Sequence, residues 1–152
     1  MFKQTTRVAI AAFALVAAAA IAPVKAATPD DAKAMAEKAA ALVAAEGEKA
    51  FPTISDPNGA FHQGEVYVTI LDRKGVVRAT LNPKLIGVNM WEATDPDGVK
   101  FSQLPWTATE KSDTAWISYK FTNPETKKIQ PKKAWVHRVG DFVVFSGIYT
   151  TD

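Results

Sequence analysis

From residue 114 to residue 149 the chain reads as three strands separated by two short turns. A meander of that kind closes only as an antiparallel sheet. Across 114–121, Ile117, Tyr119 and Phe121 fall on one face and Trp116, Ser118 and Lys120 on the other, the period of two that a strand imposes. Asn123-Pro124-Glu125-Thr126-Lys127-Lys128 reads as a turn, and Gly140-Asp141 joins strands at 133–139 and 142–149. Two earlier runs share this character. Residues 65–71, rich in Val, Tyr, Thr and Ile, precede the hairpin turn Asp72-Arg73-Lys74-Gly75, and 76–81 returns. Both faces of 66–71 are largely apolar, which fits a central strand covered on both sides.

A helix comes before the strands. Thr28 is suited to cap it, Pro29 to its first position, and Asp30 and Asp31 to the positive end of its dipole. Met35, Ala39, Leu42, Val43 and Ala50 recur at helical spacing, and Gly47 followed by Pro52 marks the end, so the helix spans roughly residues 30–49. Between the second and third strands, residues 82–113 carry Asn82-Pro83, Gly87, Asp95-Pro96-Asp97-Gly98 and Pro105, with Leu85, Ile86, Met90, Trp91, Phe101, Leu104 and Trp106 between them. This is a segment of loops and short helices with enough apolar mass to pack onto something, and long connections of this kind are often functional. Helix, two strands, crossover and three strands define an α+β domain with one antiparallel sheet.

The first 26 residues read as an export signal: Lys3 and Arg7, an apolar run over 8–22 broken by Pro23, and the cleavage-type tripeptide Val24-Lys25-Ala26. The run is shorter than the about 20 residues of a membrane span. Cleavage after Ala26 leaves residues 27–152 as one domain without a membrane span, periplasmic or secreted. Removing Lys3, Arg7 and Lys25 from 18 basic residues leaves 15 against 16 acidic ones, so nothing argues for a nucleic-acid partner.

The chain has no cysteine, which excludes a disulfide framework, a zinc–thiolate site, an iron–sulfur cluster and a thiol nucleophile. There is no nucleophile elbow, Walker loop, dinucleotide glycine pattern or metalloprotease motif, and the reading is of a non-enzyme with no cofactor. His62 and His137 lack a third ligand at recognisable spacing, and Asp95, Asp97 and Gly98 are better explained as an Asx-Pro turn than as part of a calcium loop.

Several segments resemble, in order, those of the single Cache domain family, second type. Tyr67-Val68-Thr69-Ile70-Leu71-Asp72 leads into Gly75. Asn82-Pro83-Lys84-Leu85-Ile86-Gly87-Val88-Asn89 follows the second strand, and Asp95-Pro96-Asp97-Gly98 is similar to the family's aspartate-containing turn. Ile117-Ser118-Tyr119, Pro131-Lys132-Lys133-Ala134-Trp135-Val136 and Ser146-Gly147-Ile148-Tyr149 resemble the last three strands. The resemblance implies a PAS-like five-stranded antiparallel sheet, a long helix on one face, and a helical or loop crossover enclosing a small pocket on the other. It implies a sensing module for a small organic acid, amino acid or related metabolite. It also implies a membrane receptor or other periplasmic protein as partner, since no output domain follows Asp152 in this sequence. The alternative is a protein-interaction module whose pocket is vestigial.

The resemblance assigns Tyr119, Lys132 and Trp135 to a ligand pocket under the segment 82–106: a hydroxyl, a positive charge and an apolar wall. Thr80 stands where many members have His and Trp135 where Tyr is usual. Trp91 and Trp106 are further pocket candidates, Trp106 as part of the lid. Read from the residues alone, Tyr119 and the tryptophans are equally at home in a core, and Lys132 on a wet surface beside a turn.

Overall fold

The structure, a computed structural model, describes residues 25–151; residues 1–24 of the export signal expected over 1–26 lie outside the described residues. Helix α1 spans Pro29–Glu46. Its start is a capping box: the Thr28 hydroxyl accepts from Asp31 N at 3.2 Å, and the Asp31 carboxylate accepts from Thr28 N at 2.8 Å. The residues it buries completely are mostly alanines, Ala32, Ala36, Ala39 and Ala40, with Val43; Met35 and Leu42 pack beside them half-buried. Small side chains let the helix axis lie close to the sheet. Pro52 does not end the helical segment. After a 3-10 turn at Gly47–Ala50 the chain enters helix α2 (Phe51–Ser55), where Pro52 occupies the first turn and its missing N–H is not needed.

Strands β1 (His62–Gln63), β2 (Val66–Asp72), β3 (Val77–Ala79), β4 (Thr114–Thr122), β5 (Ile129–Val139) and β6 (Phe142–Tyr149) form one antiparallel sheet. Its order is β1-β2-β6-β5-β4, with β3 also paired to β2. The five expected strands are present, and the two-residue β1 adds a sixth. The second strand stops two residues earlier than expected, because Thr80 and Leu81 leave the ladder and Asn82 caps the 3-10 turn Pro83–Leu85. The fourth begins earlier, at Ile129, despite Pro131. Pro131 pairs with Lys120 of β4 and lies one step beyond the last β5–β6 pair, Lys132–Tyr149. Its carbonyl accepts from Thr150 N at 2.9 Å.

The pleat divides the sheet into two surfaces. Val68, Ile70 and Val144 face α1, α2 and Phe61 in one core. Leu71, Ile117, Tyr119, Ala134, Val136, Val143 and Phe145 face the other way, toward the crossover between β3 and β4. The crossover holds the 3-10 turn Pro83–Leu85 and helix α3 (Leu104–Ala108). We call these the helix face and the lid face.

Gly147 sits in the middle of the lid face, opposite Ala134. A Cβ there would lie 2.5 Å from the Lys133 carbonyl oxygen and 2.9 Å from the Ala134 side chain. Gly147→Ala should therefore destabilise the domain by about 1–3 kcal/mol through overpacking, measured by urea denaturation. A loss below about 0.5 kcal/mol, the range of ordinary surface changes, would show that the strands separate freely at this point.

Candidate functional site

The crossover is pinned to the sheet at both ends of its arc. Gly75 adopts a φ of +76°, and a Cβ on it would come within 2.9 Å of Trp91 Cα, so Trp91 packs flat on the β2–β3 turn. Met90 N donates to Gly75 O at 2.8 Å, and Gln103 Nε2 to Trp91 O at 2.9 Å. Trp106 donates from Nε1 to Asp72 O at 3.3 Å, with the Arg73 guanidinium 4.9 Å above its ring. Further along, the Asp95 carboxylate accepts backbone N–H bonds from Asp97, Val99 and Lys120, each 2.9 Å. Burial pushes its pKa up, but those three donors outweigh it and hold the carboxyl below its ordinary value. The aspartate turn thus closes on itself and caps the open edge of β4. Among the described residues no group of three His, Cys, Asp or Glu side chains is placed to hold a metal ion.

Between crossover and lid face lies a cavity of about 480 Å³, within the ~300–1,000 Å³ of small-molecule sites. Its buried wall includes Tyr67, Leu71, Val77, Tyr119 and Phe145, and Phe101 stacks on Tyr119 with ring centroids 5.8 Å apart. Asn82, Lys84, Thr122 and Lys127 line it too and are exposed, so they form its rim. Lys127 is the one non-glycine residue with positive φ among the described residues, at 61°. Such a conformation is held by surrounding structure and clusters at functional sites. The lining contains two lysines and no carboxylate.

Three hydroxyl groups of the lining, those of Tyr67, Thr69 and Thr80, already have partners. Thr69 and Thr80 share a bond of 3.1 Å. Tyr149 donates its proton to Thr122 O at 2.8 Å, so in the 3.1 Å Tyr67–Tyr149 contact Tyr67 is the donor. Tyr119 lines the cavity, and its hydroxyl bonds to no described residue. Burial foremost, then Tyr67, pushes its pKa well above the ordinary value, so it is a neutral donor. Tyr149 is raised for the same reasons.

The six residues singled out by sequence separate into four groups. Tyr119 and Thr80 line the cavity. Lys132 is not on a wet surface: it is 3% exposed, with Nζ 4.0 Å above the Tyr67 ring, 5.1 Å from Tyr149 and 6.0 Å from Phe121. Three ring faces partly replace its hydration, and no described carboxylate lies within ion-pair distance. It lines a neighbouring hollow that shares Tyr119 with the cavity. Trp91 and Trp106 lie outside the cavity, on outer grooves beside Arg73, and serve to fasten the lid. Trp135 does not wall the cavity at all. It stands three residues after Lys132 in an unbroken strand, and an odd offset puts it on the helix face. There it packs edge-on to Trp116 at 5.1 Å and donates from Nε1 to the Glu37 carboxylate of α1 at 2.5 Å. Tyr67, Thr69, Lys84, Phe101 and Lys127 were not anticipated. The alternation Tyr67-Thr69-Leu71 was the available signal for the first two, once β2 is recognised as one strand with an inside and an outside.

An open-edged antiparallel sheet with a helix on one side and a lidded cavity on the other is a PAS-like α+β fold. The Single Cache domain 2 family model matches residues 3–152, and the chain belongs to this family. Among solved structures, a methyl-accepting chemotaxis protein from Vibrio parahaemolyticus RIMD 2210633 shares 18% identity over 79% of this chain and 86% of its own, with a TM-score of 0.68. A Cache chemosensory domain described for carboxylic acid recognition shares 21% identity over 80% and 88%, TM-score 0.63. A periplasmic sensor domain of a chemotaxis protein shares 19% over 80% and 90%, TM-score 0.55. No curated protein matches the chain.

Glu37 gives the helix face a measurable signature. Its carboxylate accepts from Trp135 and, at 2.8 Å, from His137 Nδ1. Burial raises its pKa, but these two bonds and the charges of His137 and Lys33 outweigh it, leaving it below 4.5. A depressed carboxyl adds stability above its unfolded-state pKa and loses it as pH falls through the folded one. Urea midpoints taken downward from about pH 7 should therefore fall below pH 4.5 in the wild type, and more gently in Glu37→Gln. Identical slopes would show that the clamp carries no linkage.

Proposed function

We propose that this chain is an exported sensing module whose cavity takes a small organic anion, a carboxylate foremost. The observation that carries this is the lining: rings and hydroxyls around about 480 Å³, two lysines at the rim, and no acidic side chain. A charged acceptor draws stronger hydrogen bonds than a neutral one, and Tyr119 offers an uncommitted donor within. Lys132, desolvated behind Tyr67 and Tyr119, adds positive potential where the ligand lies, since an unpaired charge is less screened in a buried setting. The solved domain whose subject is carboxylic acid recognition supports the same class. A binding role is favoured over catalysis because the cavity lining holds neither a histidine nor an acid. The rival reading, an interaction module with a vestigial pocket, calls for side chains filling this space, and the cavity speaks against it. The occupied state would be read by a membrane receptor or another exported protein. Among the described residues no helix is long and apolar enough to cross a membrane.

Thermal shift with a panel of organic acids, amino acids and amines tests the binding. Acids should raise the midpoint and amines should not. Lys84→Ala with Lys127→Ala should weaken the best acid by up to about 2 kcal/mol, given the ~0–1 kcal/mol typical of each exposed charge contact. Tyr119→Phe should cost about 1 kcal/mol. A panel in which only amines or uncharged compounds bind contradicts the reading. Export is checked separately by intact mass of the secreted protein, which should begin at Ala27. Retention of residues 1–26 in the membrane fraction would mean an anchor.

A further inference from the structure

The distribution of charge within the cavity is one-sided. Lys84 and Lys127 are exposed at the rim beside Asn82 and Thr122. At the opposite end Leu71, Val77 and Phe145 are 2%, 4% and 5% exposed, and half-buried Leu85, Met90 and Phe101 cover them from the lid. Register places these ends apart. Thr69 pairs with Phe145 and Leu71 with Val143, whereas the Tyr119–Lys132–Tyr149 row lies six residues further along β5 from Arg138, the partner of Val143. The hydroxyls between are neutral, and those of Tyr67, Thr69 and Thr80 already have partners.

From this asymmetry we infer that the cavity takes an amphipathic monocarboxylate, its head group at Lys84 and Lys127 and its hydrocarbon body on Leu71, Val77 and Phe145. The inference rests on the proposed anion-binding function and narrows its ligand class. A two- or three-carbon acid would leave the apolar end uncovered or carry its charge into a region where no lining residue is cationic, and burying an unpaired carboxylate is costly. An acid with a tail satisfies both ends. From Tyr67 to Leu71 the floor extends four residues of strand, about 13 Å, which suits an extended chain of about six to ten carbons. Dicarboxylates fit poorly, because their second charge would meet Leu71 and Phe145.

Isothermal titration of the mature protein with straight-chain acids from acetate to decanoate decides the matter, below the concentrations at which they form micelles. Affinity should rise about fourfold for each added methylene, as burial of one CH₂ group implies, until the chain meets the floor. Val77→Phe, which shortens the floor, should move the optimum to shorter acids, and an unchanged far-UV circular dichroism spectrum reports that the variant is folded. Lys84→Ala with Lys127→Ala should weaken butyrate and octanoate by the same factor, and Lys132→Met should weaken both less. Acetate, propionate or succinate binding as tightly as octanoate would overturn the inference and leave the anion-binding reading standing. So would a larger loss from Lys132→Met than from the rim pair, which would place the head group beside Tyr119 and Lys132 instead of at Lys84 and Lys127. If no acid of any length binds, both fall together.

Discussion

Everything that distinguishes the two sides of this domain depends on the alternation of β5. Lys132, Ala134 and Val136 project to one surface, Lys133, Trp135 and His137 to the other, and no bulge interrupts the pairing of β5 with either neighbour. Because the side-chain period is two, a slip of one residue would exchange the surfaces entirely. It would turn Lys132 toward α1 and Trp135 into the cavity. The register is held by what each face demands: α1 needs small residues and the Glu37 clamp, whereas the cavity needs rings and hydroxyls.

The two surfaces are packed in different ways. On the helix face, alanines bring α1 close, and the bonds from Trp135 and His137 to Glu37 fix its rotation. On the lid face, the crossover is attached at discrete points: Trp91 on Gly75, Trp106 on Asp72, and Asp95 on the edge of β4. Between those points the cavity stays open. A scaffold that is dense on one side and bridged on the other can hold a ligand without surrendering its core. The aromatic enclosure of Lys132 fits this arrangement, since it keeps a cation near the cavity with no protein carboxylate to neutralise it.

Much of the fold was legible in the sequence. Thr28, Pro29 and Asp31 announced the start of α1, and the alternation through Ile117, Tyr119 and Phe121 gave the lid face of β4 correctly. The order of elements then left an α+β sheet as the natural solution. The site was less legible, for two physical reasons. Trp135 was assigned from its likeness to a family position, although its odd offset from Lys132 already separated them in any regular strand. Trp91 and Trp106 look like pocket walls because they are large and lie in the lid, yet the structure spends them on attachment. Lys84 and Lys127 carried no local signal, because a lysine near a turn is ordinarily solvated surface. Only the folded chain brings a turn after β3 and a turn after β4 to the same rim.

Ligand bound on the lid face should leave the helix face undisturbed. The four tryptophan indole N–H groups report on it directly in ¹⁵N–¹H correlation spectra, since Trp135 and Trp116 lie on the helix face and Trp91 and Trp106 in the lid. Titration with a bound organic acid should move the backbone signals of Tyr67, Thr69, Lys84, Phe101 and Lys127 and shift the Trp106 indole, while the Trp135 indole stays in place. A shift dominated by the Trp135 and Trp116 indoles, with the lid signals still, would contradict the account.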